Sequence, residues 1–318
     1  MTKVKHPAGA RSCGKLILLG EHAVVHGVAA MACGIERGLV ASLAIASSFE
    51  TTLTLLDQRC SPRGDDALSR ALVALLEAGS GPPGAALDLV VEGDLPPGMN
   101  LGFSAAAAVA LGRALEAHRG VVDEDAVRAR ADAWERVFHG NPSGIDVAAA
   151  MRGGVVHYRR GEPVRDVAVG RPLRLCVGLS GAKPGPTRTM VERVAAIRER
   201  DPRTFERAIG AVAGLVARAE SAIRCGELEA LGETMNDNHR ILAGWSLATT
   251  TLDHLCASAR AAGALGAKLT GAGGGGAMVA LAGAADDPHA RPIATAILEA
   301  YRRVGGDGFE VVVGGHPD

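Results

Sequence analysis

The sequence predicts a mixed α+β protein made of two domains. Its 318 residues exceed the roughly 100 to 200 residues of a typical domain. Apolar runs and alternating patterns, typical of strands, are interspersed with stretches whose apolar residues recur every three or four positions, typical of helices. The polar, proline-bearing segment 161–172 separates two such mixtures. We therefore expect an N-terminal domain over residues 1–170 and a C-terminal domain over residues 171–318.

The N-terminal half contains both patterns. Its apolar runs predict strands at Leu16–Leu19, Val40–Ala46, Thr51–Leu56, Leu87–Glu92 and Gly153–Arg159. Spacing of three and four predicts helices at Asp65–Ala78, Ser104–Arg119 and Asp123–His139. The last two form a helical pair, because Gly120 is typical of a helix end and Asp123 of a helix start.

The C-terminal half has a longer helical stretch between strands. Strands are predicted at Leu173–Leu179, Ala267–Thr270, Ala277–Leu281 and Phe309–Val313. Helices are predicted at 187–200, 202–224, 227–243, 249–262 and 288–303. This order indicates an antiparallel sheet covered on one face by helices.

Composition excludes several classes of function. The 34 Lys and Arg residues against 35 Asp and Glu residues give a net charge of −1, which disfavours nucleic acid or an anionic membrane as a partner. The six cysteines form no Cys-x-x-Cys pair, so we expect reduced thiols and a cytoplasmic location. Charged helix-face residues such as Arg128, Arg130 and Arg136 are expected to be solvated.

Two glycine-bearing stretches indicate a ligand site. The loop LPPGMNLGFSA leads from a strand into an Ala-rich helix near Ser104, and free N–H groups at a helix start suit a phosphate. An ordinary turn with Ser104 as N-cap is the alternative. In KLTGAGGGGAMVAL four consecutive glycines separate two strands. Because glycine destabilises strands, this run indicates close approach of a ligand or another loop, with a flexible hairpin as the alternative.

A further segment, WERVFHGNPSGIDVAAA, carries acidic candidates. Glu135 lies near the end of a predicted helix, and Asp146 follows Ser143 by three residues. The Ser-x-x-Asp spacing is typical of a capping box. Asp146 is therefore either a capping residue or a carboxylate available for proton transfer.

These segments, together with GKLILLGEHAVVHG from Gly14, resemble the GHMP kinase superfamily, and their spelling is similar to its mevalonate kinase branch. The similarity extends in the expected order from about residue 13 to residue 281. It implies an N-terminal domain of the ribosomal-protein-S5 kind, a ferredoxin-like C-terminal domain and an active site in the cleft between them. The implied reaction is phosphorylation of the 5-hydroxyl of mevalonate in isoprenoid biosynthesis, with ATP and Mg²⁺.

The same resemblance implies the site residues. Asp146 and Lys15 match the catalytic aspartate and lysine, and Ser104 and Glu135 match the magnesium ligands. The phosphate loop is matched by Pro97, Gly98, Met99, Asn100, Leu101, Gly102, Phe103, Ser104 and Ala105. The substrate side is matched by Glu21, His22, Thr187, Gly271, Ala272 and Gly273, and Lys183 and Arg188 are candidates for the substrate carboxylate.

The chain departs from the family pattern in the phosphate loop, which usually reads Gly-Leu-Gly-Ser-Ser-Ala. Here Asn100 occupies the first glycine position, and asparagine tolerates positive φ better than most residues. Phe103 replaces a small hydroxyl residue. We expect its ring to pack towards the Gly271–Gly276 turn or the base of the loop, and not to project into the triphosphate site.

Two other functions stay open, a kinase for a different small alcohol such as a sugar or another mevalonate-pathway intermediate, and a catalytically impaired nucleotide-binding protein. A homodimer is also open.

Overall fold

The computed structural model of the chain describes residues 10–181, 184, 185 and 187–315. These residues form two compact units that are interleaved in sequence. Unit 1 comprises residues 10–14, Arg37–Pro97 and Gly102–Met151, and unit 2 comprises Lys15–Glu36, Gly98–Leu101 and the described residues from Arg152 onward. The domain boundary near residue 170 stays a prediction.

Strands β1 and β2 each contribute residues to both units and pair with each other. They span Arg11–Leu19 and Ala30–Ile45. β2 therefore begins well before Val40, where the sequence predicted its start. The strand continues through Gly34, where another backbone approaches. A Cβ there would lie 2.5 Å from the Cα of Gly153, so the glycine permits two backbones to approach.

Unit 1 places helices beside a sheet whose strands beyond β1 and β2 are β3 (Thr52–Leu55), β4 (Gln58–Cys60) and β5 (Leu87–Gly93). The unit has the strand order β4-β3-β5-β2. Its helices are α1 (Ala67–Glu77), α2 (Phe103–His118), α3 (Glu124–His139) and α4 (Ile145–Arg152). The Ala-rich sequence of α2 follows from its burial, because Ala105, Ala106, Ala107 and Ala108 are all enclosed. Small side chains allow α3 to pack closely, and a Cβ at Gly112 would lie 3.3 Å from Val127.

A buried ion pair holds the helices of unit 1 together. Nε of Arg130 on α3 lies 2.8 Å from Oε1 of Glu116 on α2. The guanidinium also donates to the carbonyl oxygens of Leu75, Leu76 and Gly81, around the C-terminal end of α1. The prediction that Arg130 is solvated is therefore wrong, because its fork-shaped group satisfies orphan carbonyls in the interior.

Unit 2 contains, beyond β2, the strands β6 (Val155–Tyr158), β7 (Arg165–Asp166), β8 (Leu173–Leu179), β9 (Gly266–Leu269), β10 (Ala277–Ala284) and β11 (Asp307–Val313). It includes a four-stranded antiparallel sheet in the order β11-β8-β10-β9. Its helices are α5 (Thr187–Arg200), α6 (Pro202–Cys225), α7 (Leu228–Gly244), α8 (Thr250–Ala261) and α9 (Ala290–Arg303). α7, α8 and α9 pack on this sheet, and every residue of β10 is buried. The predicted α+β order and antiparallel sheet are confirmed.

The cysteines are free thiols. Burial raises the pKa of Cys176 and of Cys256 to about 12, so these thiols are protonated at neutral pH. Across the described residues, no helix has both the length and the apolar character that crossing a membrane requires.

Candidate active site

The loop between β5 and α2 adopts the left-handed backbone that its sequence suggests. Gly98, Asn100 and Gly102 have φ values of 70°, 61° and 77°. Leu101 accepts a hydrogen bond of 2.8 Å from the backbone N–H of Lys15. Lys15 is itself buried in β1. The N-terminus of α2 therefore follows directly on a loop that is fixed by β1.

The glycine run after β9 packs against Asn100 of this loop. Asn100 Nδ2 donates to the carbonyl oxygen of Gly275 at 3.3 Å. A Cβ at Gly271 would lie 2.9 Å from the Asn100 Cβ, and one at Gly276 would lie 2.9 Å from its Nδ2. The run is thus a close approach of two loops, one of the two explanations that its sequence suggests. The packing of Phe103, which is half-buried in the first turn of α2, stays a prediction.

The two candidate magnesium ligands are brought together in unit 1. Ser104 Oγ donates to Glu135 Oε1 at 2.5 Å, and Trp134 Nε1 donates to Ser104 Oγ at 3.0 Å. Glu135 is only 3% exposed, and its Oε2 lies 3.6 Å from His139 Nε2. Ser104 is not the N-cap of α2, because that position is Gly102. The alternative that Ser104 is an ordinary helix cap is therefore wrong.

These oxygen atoms suit Mg²⁺. A hydroxyl and a carboxylate are the hard donors that this ion prefers, and it usually keeps waters and phosphate oxygens as further ligands. Within the described part of the chain, no group of three or more His, Cys, Asp or Glu side chains is arranged to hold a metal ion.

Asp146 lies in the first turn of α4 and is half-buried. The preceding turn bends at Gly144, whose φ is 88°. The backbone N–H of Ile145 donates to Ser143 Oγ at 3.4 Å. Asp146 therefore lies at the positive end of a helix dipole, which stabilises a carboxylate.

On the substrate side, His22 is held in an unusual backbone conformation. Its φ is 59°, and it precedes a short 3₁₀ helix over Ala23–His26. His22 Nε2 lies 3.0 Å from the carbonyl oxygen of Ala272. Burial lowers the pKa of His22 below its ordinary 6.5, so the ring is neutral at pH 7. Because a carbonyl only accepts, Nε2 carries the proton and Nδ1 presents a lone pair.

Glu21 is enclosed by residues that sequence reasoning did not identify. Its side chain is 1% exposed. Oε1 is paired with the Lys268 ammonium, and Oε2 accepts from Asn238 Nδ2 at 3.0 Å. The one available signal is a lone lysine in the otherwise apolar strand before the glycine run. Nothing local in α7 marks Asn238.

The remaining substrate-side candidates have less defined surroundings. Thr187 begins α5 and is half-buried. Arg188 is exposed and pairs with Glu192 at 2.7 Å. Lys183 lies outside the described residues.

Two family models match the chain. The family model for the GHMP kinase N-terminal domain matches residues 67–154, and the model for the GHMP kinase C-terminal domain matches residues 219–303. The matched segments and the fold define a GHMP kinase.

Individual relatives show which family of GHMP kinases the chain is similar to. A mevalonate kinase from Aeropyrum pernix is 33% identical over 293 residues, covering 87% of this chain and 89% of the relative. One from Methanothermobacter thermautotrophicus is 33% identical over 279 residues, covering 86% and 89%. The crystal structure of L. major mevalonate kinase in complex with R-mevalonate superposes with a TM-score of 0.83 at 29% identity, covering 98% of this chain and 97% of that one. The chain belongs to the mevalonate kinase family.

Proposed function

We propose that this protein transfers the γ-phosphate of ATP to the 5-hydroxyl of mevalonate, giving 5-phosphomevalonate for isoprenoid biosynthesis. The observation that carries the proposal is the hydrogen bond between Ser104 and Glu135. It joins two hard oxygen donors at the start of α2, where free backbone N–H groups favour a phosphate. Family membership supplies the substrates, since relatives that share a third of the sequence are named mevalonate kinases.

The phosphates of ATP are proposed to bind at the loop Pro97–Ala105. Its left-handed residues turn the chain into α2, so that the first N–H groups of the helix point to one side and receive negative charge. Ser104 and Glu135 would hold Mg²⁺, which supplies neutralisation of phosphate charge when bound.

Asp146 is proposed as the general base. Its carboxylate accepts the proton of the 5-hydroxyl while that oxygen forms a bond to the γ-phosphorus. The bond from the γ-phosphorus to the bridging oxygen breaks, and ADP leaves with the electron pair. Such a transfer depends on positioning and charge stabilisation more than on covalent chemistry. The Lys15 ammonium is proposed to stabilise the negative charge of the transferred group.

The acceptor is proposed to lie against His22, Thr187 and the Gly271–Gly273 turn. The neutral His22 ring offers an acceptor nitrogen to a hydroxyl of the substrate. Both partners of the reaction are then small molecules, mevalonate and ATP.

A coupled assay of ADP formation tests the proposal. Purified protein with ATP and Mg²⁺ is offered mevalonate, phosphomevalonate, galactose or homoserine in parallel. We expect turnover with mevalonate and background rates with the other three. A higher kcat/KM for another acceptor would identify the protein as a kinase for a different small alcohol. ATP binding without turnover of any acceptor would identify a catalytically impaired nucleotide-binding protein.

A further inference from the structure

We propose that Lys268, acting through Glu21, is a positioning residue that orients His22 towards the substrate. The inference rests on the proposed function, in which His22 contacts the acceptor. It gives Glu21 a different task from the one its sequence suggests, since the glutamate then acts on its neighbour in the chain and not on the substrate.

The buried Lys268 ammonium has an acceptor for each of its donor positions. Lys268 lies on β9 and is 0% exposed. Its ammonium has three donor positions, and it has three acceptors, namely Glu21 Oε1 and the carbonyl oxygens of Ile17 at 3.3 Å and Leu269 at 2.7 Å. The charge is therefore fully paired and cannot move without breaking several hydrogen bonds.

Stability alone gives no reason for a buried Lys268–Glu21 pair. Removing two charges from water costs about as much as their attraction returns, so well-packed apolar residues often serve as well or better. Burial also lowers the pKa of Lys268, against the influence of Glu21. A buried Lys–Glu pair is therefore better explained by what it holds in place.

The Lys268–Glu21 pair joins two segments that also meet at His22 and Ala272. Glu21 directly precedes His22, and the chain after Lys268 continues to Ala272, whose carbonyl oxygen receives the His22 ring. Between these two contacts, Thr270 Oγ1 accepts from the backbone N–H of Ile17 at 2.9 Å and donates to its carbonyl oxygen at 3.1 Å. The end of β1 and the residues after it are thus joined to the segment 268–272 at three alternate positions, Lys268, Thr270 and Ala272.

The backbone of His22 is strained. A φ of 59° in a residue other than glycine is uncommon, and it persists where the surroundings fix it. The contacts of Lys268, Thr270 and Ala272 provide that fixation. Both carboxylate oxygens of Glu21 are meanwhile engaged, one by Lys268 and one by Asn238. The Glu21 side chain is 1% exposed, so Glu21 acts on the substrate through its neighbour His22.

The test uses Lys268→Met, Glu21→Gln and the double variant. Lys268→Met leaves the buried Glu21 carboxylate without its cation, and Glu21→Gln leaves the buried Lys268 ammonium without its anion. Each single variant therefore has a lower Tm. The double variant leaves no unpaired charge, so its Tm returns towards the wild-type value. Its KM for mevalonate stays raised by about 10- to 100-fold, the effect of a small misplacement of a binding group, while its KM for ATP is unchanged. Recovery of both Tm and the mevalonate KM in the double variant would overturn the inference.

Glu116→Gln is the matched control. Glu116 is as buried as Glu21 and is likewise paired with a buried cation, Arg130. Its hydrogen-bond partners, Ser80 and Arg130, belong to no proposed site. We expect Glu116→Gln to lower Tm as Glu21→Gln does, with an unchanged KM for mevalonate. An equal rise of that KM in the control would mean that loss of stability explains both, and the inference would be wrong.

A second measurement separates this inference from the proposed function. The ring signals of His22 are followed by NMR, assigned by their loss in His22→Gln. We expect them to shift in the double variant and to stay in place in Glu116→Gln, whichever acceptor the enzyme uses. Unmoved His22 signals would reject the inference even if mevalonate is the substrate. Absence of mevalonate turnover in the wild type, with shifted signals, would reject the proposed function alone.

Discussion

At the scale of single residues, Asp146 is the position where a structural and a chemical role compete. It lies in the first turn of α4 beside a Ser143 hydroxyl that already serves a backbone N–H. If it is the general base, Asp146→Asn lowers kcat by at least about 10²-fold and leaves Tm and ATP binding nearly intact. Kinetics and thermal melts of the purified variant measure both.

Asp123→Asn is the control for that prediction. Asp123 is a plain helix cap, whose side chain accepts from the N–H groups of Asp125 and Ala126. Asparagine caps as well as aspartate, so neither kcat nor Tm changes in this variant. A lower Tm of Asp146→Asn together with an unchanged kcat would show that Asp146 is a structural residue.

Glu135 and Ser104 are the residues whose side chains define the metal prediction. Glu135→Gln raises the Mg²⁺ concentration needed for half-maximal rate, because an amide oxygen is a poorer ligand for a hard dication. Ser104→Ala does the same and leaves Trp134 Nε1 without its hydroxyl acceptor. Magnesium titrations of the initial rate measure both effects. Glu124→Gln is the control, because Glu124 is exposed at the start of α3, the helix that carries Glu135. This variant leaves the Mg²⁺ dependence of the rate unchanged. An equal change in all three variants would refute the assignment.

At the scale of elements, the turn after β9 and the loop before α2 fix each other. Gly276 has a φ of +81°, and an added Cβ would lie 2.9 Å from Asn100 Nδ2. Gly276→Ala therefore displaces Asn100 and, through the loop, the start of α2. We expect a raised KM for ATP and a lower Tm, measured by initial rates and thermal melts.

Gly305→Ala separates the clash from the backbone strain in that experiment. Gly305 has nearly the same φ, +78°, but nothing lies within 4 Å of its added Cβ. Gly305→Ala is destabilised only by the positive φ, because the added Cβ contacts nothing. Its Tm therefore falls less than that of Gly276→Ala, and its KM for ATP is unchanged. Equal effects of the two substitutions would mean that contact with Asn100 is unimportant.

The accuracy of the sequence predictions also depends on the element. α5 occupies Thr187–Arg200, as predicted, because its periodicity is local. β2 is longer than predicted because Gly34 and Gly38 lie where another backbone approaches, at Gly153 and at Ser12. Such contacts join distant parts of the chain, and a single sequence shows only that a glycine is present.

The same distinction applies to the candidate site. The resemblance of the motifs to GHMP kinases led to Ser104 and Glu135, which the structure brings within hydrogen-bonding distance. Lys268 and Asn238 were missed because their partner, Glu21, is more than 200 residues away in sequence. Arg130 was misjudged for a similar reason, since its carbonyl partners belong to α1 and the turn after it. Buried polar networks depend on tertiary contacts, and periodicity carries no information about them.

At the scale of the whole molecule, buried histidines make stability depend on pH. Burial lowers the pKa of His22 and of His239 below the ordinary 6.5. As the pH falls through about 6.5, these histidines therefore bind protons in the unfolded chain while they remain neutral in the folded chain. Because the unfolded state binds more protons, the contribution of the neutral histidines to the free energy of unfolding is complete above pH 6.5. It is lost as the pH falls from 6.5 through the lower pKa values of the folded chain. We expect Tm to decrease from pH 7.5 towards about pH 5.5.

His239→Asn tests which groups are responsible for that decrease. The His239 ring accepts from the backbone N–H of Leu269 through Nδ1 and faces Asp253 through Nε2. Its removal lowers Tm at every pH but flattens the dependence, because one buried titrating group is gone. His118→Gln, at the exposed end of α2, leaves the slope as in the wild type. A slope that His239→Asn does not change, or a Tm constant over this range, would show that carboxylates and not buried histidines control the acid sensitivity of the fold.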